Sequence, residues 1–217
     1  MSIQRGVAAF DFDGTLVPGD SLPRFLARLL GRSGFSCVLA QAAPAMLVGY
    51  RQTGRDGSKA ALLRRALAGQ DGGQVGRVGE EFGARLASRI RPEMATRLAW
   101  HRKQGHRQVL VSASLAVYLE PFGRVAGFDE VIATRLETGP DGRLTGRLDG
   151  PNVRARQKAL LLRTALGPGP VEVWAYGDSA GDREMLQMAD HPTRIRHPRL
   201  WRPIGHTDRR RSARLSG

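Results

Sequence analysis

Three short apolar runs along the chain each end in polar residues, and helical patterns separate them. They comprise residues 7–10, 109–111 and 171–176, and their length and composition predict buried strands. A further run, residues 130–134, precedes a turn at residues 139–143, which predicts a small hairpin. Because strands that alternate with helices are typical of a doubly wound parallel sheet, we predict an α/β fold.

Apolar residues at helical spacing fill much of the long segment between the first two strands. We predict helices over residues 21–30, 35–50, 57–68 and 75–90. Asp56 is the expected N-cap of the third helix. The glycines between residues 69 and 79 suggest a loose connection inside this helical segment.

The chain therefore divides into a core and an inserted cap. We assign residues 1–17 and 92–193 to the core and residues 18–91 to the helical cap. The basic segment that follows, residues 194–217, is expected to be disordered.

Two carboxylates follow the first predicted strand directly. Asp11 lies at the strand end, where open α/β sheets build their sites, and a carboxylate there can form a covalent aspartyl-phosphate. Asp13 can act as general acid and then as general base. Thr15 can orient a neighbouring carboxylate or a phosphate through its hydroxyl. The alternative is that Asp13-Gly14-Thr15 is only a turn after a core strand.

Serines follow the second strand, in the segment Ser112-Ala113-Ser114. The Ser112 hydroxyl and the backbone N–H groups beside it, including that of Ala113, can hold phosphate oxygens. The same residues also suit an ordinary N-cap for a helix that starts at Leu115.

Two aspartates follow the third strand on a glycine-rich loop. Mg²⁺ takes oxygen ligands, typically one or two carboxylates with water and substrate phosphate. Asp178 can supply a carboxylate opposite Asp11, and Asp182 can be a ligand or an outer-shell partner. Capping the next helix is the competing role for Asp182.

Lysine is scarce in this basic chain. Of its 34 Lys and Arg residues only Lys59, Lys103 and Lys158 are lysines. A compact ammonium meets a phosphate differently from a guanidinium, which marks Lys158 as a candidate phosphate ligand. A solvated lysine on a helix surface is the alternative.

These segments, in this order, resemble the four motifs of the haloacid dehalogenase superfamily of aspartate-nucleophile phosphatases. The 96 residues from Leu16 to Val111 place an inserted helical cap where the phosphoserine phosphatase-like subfamily carries one. Residues 151–153, Lys158 and residues 175–186 are similar to a bacterial branch that includes phosphatidylglycerophosphate phosphatases.

The resemblance implies a Rossmann-like core and a role for each motif residue. Asp11 would be the nucleophile and Asp13 the acid/base, while Ser112 and Lys158 would hold the phosphate. Asp11, the Asp13 carbonyl and Asp178 would surround Mg²⁺.

Two positions depart from phosphoserine phosphatases proper. Gly181 replaces the usual Asn, and Asp20 replaces a Glu that binds the substrate's amino group in those enzymes. Asp20 either keeps that role with a shorter reach or caps the helix that begins near Ser21. Among the basic residues of the cap, Lys59 is the first candidate for contact with the substrate.

The net charge of +14 suggests nucleic-acid binding, but the basic residues are dispersed and aromatic residues are few. We therefore predict no specific nucleic-acid partner. The basic tail, which includes Arg209-Arg210-Arg211, is expected at most to contact acidic lipid or nucleic acid weakly.

A lone cysteine, Cys37, and an N-terminus without a secretory pattern favour the cytoplasm. The apolar stretch 38–50 is shorter than the ~20 residues that a membrane span needs. We expect it to pack within the cap, with a position at a membrane surface as the alternative.

Together these observations predict a Mg²⁺-dependent phosphomonoester hydrolase that acts through an aspartyl-phosphate. The expected substrate is a small phosphorylated metabolite, namely an amino-acid, amino-alcohol or sugar phosphate. The alternatives are a phospholipid head-group phosphatase, a phosphotransferase, and a non-catalytic basic binding protein on the same fold. An exposed apolar cap surface near the site would favour the lipid, and a closed polar pocket would favour the metabolite.

Overall fold

The computed structural model describes residues 6–195, so the basic segment 194–217 lies almost entirely outside the described residues. The strands are β1 (Val7–Phe10), β2 (Arg107–Leu115), β3 (Glu130–Thr138), β4 (Leu144–Asp149), β5 (Val173–Gly177) and β6 (His191–Arg194). The helices are α1 (Ser21–Thr53), α2 (Arg55–Leu67), α3 (Gly72–Leu86), α4 (Pro92–Lys103), α5 (Ala116–Ala126), α6 (Arg156–Leu166) and α7 (Arg183–Gln187). Short 3₁₀ turns at Ala87–Arg89 and Ala180–Asp182 complete these elements.

The strands form one six-stranded sheet in the order β4-β3-β2-β1-β5-β6. β3 and β4 pair antiparallel as the predicted hairpin, while the other neighbouring strands pair parallel. The predicted α/β fold is therefore confirmed. Strand β6 was not predicted, because its sequence His-Pro-Thr-Arg has no apolar run and only its position beside β5 makes it a strand.

Both faces of the sheet are buried, which explains why the central strands are apolar throughout. Ala8 and Phe10 of β1 belong to a core that also contains side chains of α1 to α5. Val7 and Ala9 belong to a second core, which includes side chains of α6 and α7. Helices thus cover both faces, as in a doubly wound sheet.

The first two predicted cap helices form one continuous element, α1, with a kink at Gly31. Gly31 has φ 74° and ψ 160°, a left-handed conformation that a glycine adopts without steric cost. The side chain of Asp20 caps this helix, since its Oδ1 accepts a hydrogen bond from the Leu22 N–H at 3.0 Å.

Two predictions for the cap are wrong. Asp56 does not cap α2, because the helix begins at Arg55 after Gly54 and places Asp56 in its first turn. The glycines after residue 71 are not a loose connection, because they lie inside α3. A Cβ at Gly83 would lie 2.2 Å from the Tyr118 carbonyl oxygen, so glycine allows α3 to approach α5 closely.

Candidate active site

The candidate site lies at the carboxyl ends of β1, β2 and β5, the edge where open α/β sheets bind ligands. Asp11 follows β1 and is 6% exposed, and Asp178 follows β5 and is half-buried. Gly14, at φ 82°, allows the two to share this edge, since a Cβ there would lie 2.1 Å from Asp178 Oδ2. The Thr15 hydroxyl donates to Asp11 Oδ2 at 3.0 Å, so it orients a carboxylate, one of its two predicted contacts.

Lys158 extends from α6 into the floor of the site, where it is 2% exposed. Its ammonium group donates to Asp11 Oδ1 and to Asp182 Oδ1. Burial acts to lower the pKa of Lys158, but the two carboxylates outweigh it and raise the pKa. Lys158 is therefore a buried cation and not a solvated surface lysine.

The pKa values of the two carboxylates that share Lys158 are shifted in opposite directions. Burial raises the pKa of Asp11 to about 6, although the Lys158 ammonium acts to lower it. Burial also acts to raise the pKa of Asp182, but Lys158 and hydrogen bonds from Ser179 hold that pKa below its usual value. Asp182 is therefore the more firmly ionised of the two carboxylates.

Asp182 stands just before α7 and makes no side-chain bond to that helix, but it completes a capping box with Ser179 on the 3₁₀ turn Ala180–Asp182, so part of the capping alternative holds. Its Oδ2 accepts hydrogen bonds from the N–H groups of Asp178 and Ser179 and from the Ser179 hydroxyl. Together with the bond from Lys158, these contacts hold the loop between β5 and α7 against the site. This geometry is that of a supporting residue behind the first layer of the site.

Asp13 is held by side chains from two other elements. Its Oδ1 accepts a hydrogen bond from the Ser21 N–H at 2.8 Å, and its Oδ2 accepts from the hydroxyls of Ser21 and Ser114 at 2.9 and 2.5 Å. The Tyr118 hydroxyl lies 3.0 Å from Ser21 Oγ. Burial raises the pKa of Asp13 to about 7 against the opposing hydrogen bonds, which leaves a proton available near neutral pH.

Ser112 and Ala113 lie within β2, which continues to Leu115. Helix α5 starts at Ala116 without a side-chain cap, so the alternative of an ordinary N-cap at these serines is wrong. Ser112 is 2% exposed, and its hydroxyl oxygen accepts from the Ser114 N–H at 3.1 Å. Ser112 and Ala113 both line the same cavity as Asp11 and Lys158.

Lys59 connects the cap to the core. Its ammonium donates to the Ala113 carbonyl at 2.5 Å and to Asn152 Oδ1 at 2.6 Å. Asn152 in turn donates to Asp56 at 2.9 Å and accepts from Thr134 at 3.1 Å. Burial lowers the pKa of Lys59 to about 8. The lysine that we predicted to meet the substrate therefore already bonds groups of the core at the edge of the site.

These residues line a cavity of about 560 Å³, a volume typical of small-molecule sites. The floor is polar and carries the motif residues described above. The rest of the lining contains two groups of residues of different character. Five are charged, namely Asp20, Arg55, Asp56, Lys59 and Arg154. Six are apolar, namely Leu22, Pro23, Phe35, Leu39, Met46 and Leu62.

Sequence reasoning missed Ser21 and Tyr118 as members of the site. Ser21 looked like an ordinary helix start, and Tyr118 lies 97 positions further along the chain. Their only signal is that Ser21 and Tyr118 are completely buried while each has a polar group to satisfy. Burial is a property of the folded chain and has no mark in one sequence.

The donor set fits a Mg²⁺ ion. Oxygen atoms of Asp11, Asp178 and Asp182 lie within 4.8 Å of one another. Carboxylate oxygens are the hard ligands that Mg²⁺ prefers. Asp11 and Asp178 follow β1 and β5 at the edge of the sheet and could hold the ion, while Asp182 bonds Lys158 and Ser179 beside them.

The chain is similar to known proteins over most of its length. The model of the haloacid dehalogenase-like hydrolases matches residues 8–187. Protein CicA of Caulobacter vibrioides is 38% identical over 185 residues, which cover 85% of this chain and 83% of CicA. Phosphoserine phosphatase SerB2 of Mycobacterium tuberculosis is 31% identical over 85% of this chain, although the match spans only 42% of SerB2.

A solved structure from Bordetella pertussis, of a protein described as having unknown function, shows the same fold. It has a TM-score of 0.72 and 24% identity, and the match covers 88% of this chain and 90% of that chain.

Proposed function

Because the chain belongs to the haloacid dehalogenase-like hydrolase family, we propose that it is a Mg²⁺-dependent phosphatase that acts through an aspartyl-phosphate. The observation that carries this proposal is the meeting of Asp11, Asp13, Lys158 and Asp178 in one cavity. These residues come from separate parts of the chain, and each supplies a different requirement of phosphoryl transfer.

In the proposed reaction, Asp11 attacks the phosphorus atom in line with the leaving alcohol. The bond from phosphorus to that alcohol breaks while Asp13 gives the alcohol its proton. A water molecule then loses a proton to Asp13 and attacks the phosphorus, which releases phosphate and frees the Asp11 carboxylate. Asp13 suits both steps because Ser21 and Ser114 hold its carboxyl group in place.

The remaining residues bind and orient the phosphate. Lys158 supplies a fixed positive charge beside Asp11, and Ser112 and the backbone around Ala113, which line the same cavity, would donate to phosphate oxygens. Mg²⁺, held by Asp11, Asp178 and the Asp13 carbonyl, would neutralise charge on the phosphoryl group. Asp182 would keep Lys158 and the Asp178 loop in position.

Two substrate classes fit different groups of the residues that line the cavity. The charged group, with Asp20 and Lys59, suits a small metabolite such as an amino-acid, amino-alcohol or sugar phosphate. The apolar group, with Phe35, Leu39 and Met46, suits a phosphate carried by an amphiphilic molecule such as a phospholipid head group. Because Lys59 is already bonded to Ala113 and Asn152, the apolar group supports the amphiphilic phosphate.

The chemistry is tested by phosphate release from a panel of phosphomonoesters with Mg²⁺, with and without chelator. Phosphoserine, sugar and amino-alcohol phosphates would be compared with a dispersed lipid phosphate. Asp11→Asn should abolish turnover, because an amide cannot serve as the carboxylate nucleophile. Turnover of Asp11→Asn close to that of the wild type would refute the mechanism.

The metal assignment has a separate test. Asp178→Ala should raise the Mg²⁺ concentration needed for half-maximal activity by about tenfold or more, since one of two carboxylate ligands is lost. Asp141→Ala, in the exposed β3–β4 turn, is the control. An unchanged metal requirement in Asp178→Ala would show that the ion is held elsewhere.

Two alternatives from the sequence remain distinguishable by the same panel. A phosphotransferase would pass the phosphoryl group to an added alcohol acceptor and not to water. A non-catalytic basic binding protein would show no turnover at all, although the intact cluster of acidic residues argues against it. For the cellular site we propose the cytoplasm, in keeping with the single exposed Cys37.

A further inference from the structure

The outer segment of α1, residues 32–53, exposes most of its apolar side chains. The run of residues 33–50 contains no charged residue. Among the described residues, α1 is the one helix long and apolar enough to cross a membrane. Only 6% of its most apolar stretch of 18 residues is buried, however. Leu47, Val48 and Tyr50 are each more than half exposed. An apolar surface of this kind on a folded protein marks an interaction site.

α2 covers only one side of the outer segment. The two helices meet closely, since a Cβ at Gly49 would lie 2.5 Å from the Gly57 carbonyl oxygen. Ala42 is the one fully buried residue of the outer segment. The face that carries Leu47 and Val48 stays open to solvent.

The position of α1 argues for contact with a membrane surface and against a membrane span. The start of the helix is fixed in the core, because Ser21 bonds Asp13 and Phe25 is completely buried. α2 lies along the outer segment and carries the exposed Arg64 and Arg65. A spanning position would draw these arginines into hydrocarbon, which is costly.

The charges around the apolar face favour an anionic surface. Residues 21–67, which comprise α1 and α2, contain eight Lys and Arg residues and a single acidic residue, Asp56. The exposed Arg32 and Arg51 lie at the two ends of the uncharged run. An apolar face bordered by cations is the pattern of helices that lie in the interface of anionic bilayers. In a symmetric pair of chains the same patch would face itself and bring like charges together.

A groove beside the outer segment also combines basic and apolar residues. It has a volume of about 800 Å³ and lies between α1, α2 and β4. Its wall carries Arg64, Arg65 and Arg147, includes the apolar Val48 and Leu148, and has no acidic residue. This combination matches an anionic head group attached to an apolar chain.

We propose that the outer segment of α1 and this arginine-lined groove dock the protein on the surface of an anionic lipid bilayer. The same segment supplies Phe35, Leu39 and Met46 to the lining of the catalytic cavity. Docking would therefore bring this part of the cavity lining close to the bilayer. Binding through this surface needs none of the catalytic residues, so the inference stands independently of the proposed reaction.

Sedimentation of the full chain with lipid vesicles tests this docking. One set of vesicles contains phosphatidylcholine alone, and the other is an equal mixture of phosphatidylcholine and phosphatidylglycerol. The wild type should bind the mixed vesicles, and binding should weaken as salt is added. The double variant Leu47→Glu/Val48→Glu should bind at least about tenfold more weakly, because two side chains that enter the interface become charged.

Val125→Glu is the matched control, since Val125 is 60% exposed but lies on α5. It should bind as the wild type does, and any contribution from the C-terminal basic segment is common to all three proteins. Turnover of soluble 4-nitrophenyl phosphate should be equal in the double variant and the wild type, since neither residue lines the catalytic cavity. Circular dichroism shows folding even if no turnover is found.

Three outcomes would overturn the docking proposal. The first is that the wild type binds neither kind of vesicle. The second is that the double variant binds as well as the wild type. The third is that the wild type is a dimer that Leu47→Glu/Val48→Glu converts to monomers, and that neither protein binds vesicles. That last result would assign the apolar face to a second copy of the chain.

Discussion

Lys158 holds two buried carboxylates together, so its removal should destabilise the protein as well as inactivate it. Lys158→Met keeps the apolar length of the side chain and removes only the charge and its hydrogen bonds. In the wild type the ammonium bonds both Asp11 and Asp182, and all three residues are at most 6% exposed. Removal of one partner from a buried ion pair costs about 3–5 kcal/mol, because the remaining charge has neither water nor a counter-ion.

The loss of stability in Lys158→Met should depend on pH, and the structure determines the direction of this dependence. Without the ammonium, burial and mutual repulsion raise the pKa values of Asp11 and Asp182 above those in the unfolded chain. A carboxyl group whose pKa is raised by folding favours the folded state at low pH and disfavours it as pH rises through the folded pKa. The difference between variant and wild type should therefore be larger at pH 8 than at pH 6.

Urea unfolding in the presence of chelator measures this difference, since bound Mg²⁺ would replace part of the missing charge. With a denaturant slope of about 2 kcal/mol per molar urea, a loss of 3–5 kcal/mol lowers the midpoint by about 1.5–2.5 M. Lys103→Met, at an exposed position in the last turn of α4, is the control and should change stability by less than about 0.5 kcal/mol.

Equal midpoints for the two lysine variants at pH 8 would refute the reasoning. They would mean that the carboxylates relax toward water or a solvent cation without the help of Lys158. A loss that is the same at pH 6 and pH 8 would instead show that packing, and not charge, accounts for it.

The other predictions concern packing and a buried imidazole. Gly83→Ala should destabilise the protein by about 1–3 kcal/mol, because the new Cβ would lie 2.2 Å from the Tyr118 carbonyl oxygen. Gly76→Ala lies in the same helix and has no atom within 4 Å of the new Cβ, so it should stabilise the protein by about 0.5–1 kcal/mol. Thermal unfolding that ranks the two variants the other way would contradict the close contact of α3 with α5. Burial lowers the pKa of His101 to about 3, so the folded state binds fewer protons than the unfolded chain below about pH 6.5, and stability should fall as pH falls through that range. The melting temperature should decline less between pH 7 and pH 5 in His101→Gln than in the wild type, and equal slopes in the two proteins would exclude this contribution.

The apolar runs were sufficient to predict the parallel sheet. Strands such as Val7–Phe10 are buried on both faces and must therefore be apolar throughout, which makes them visible in one sequence. The polar residues that follow them could be located for a similar reason, because the carboxyl ends of parallel strands meet at one edge. Strand β6 was not visible, because its pairing with β5, not its composition, makes it a strand.

The second layer of the site depended on contacts between distant parts of the chain. Ser21, Ser114 and Tyr118 meet around Asp13 only because α1 and α5 pack beside each other at the sheet edge. Nothing in the local sequence of any of them marks that contact. Lys59 was singled out for its rarity, but its bonds to Ala113 and Asn152 required α2 to lie over the core.

The sequence by itself determined the apolar strands of the sheet, its polar edge and the order of the motifs, since these follow from the composition of each segment. The tertiary structure alone decided the charge balance around Lys158 and which face of α1 stays open, since both depend on what other segments cover. α2 covers one side of the apolar run 33–50, and Leu47 and Val48 on the other side remain in contact with solvent. Periodicity shows that a helix has an apolar face, but only packing shows whether that face is buried.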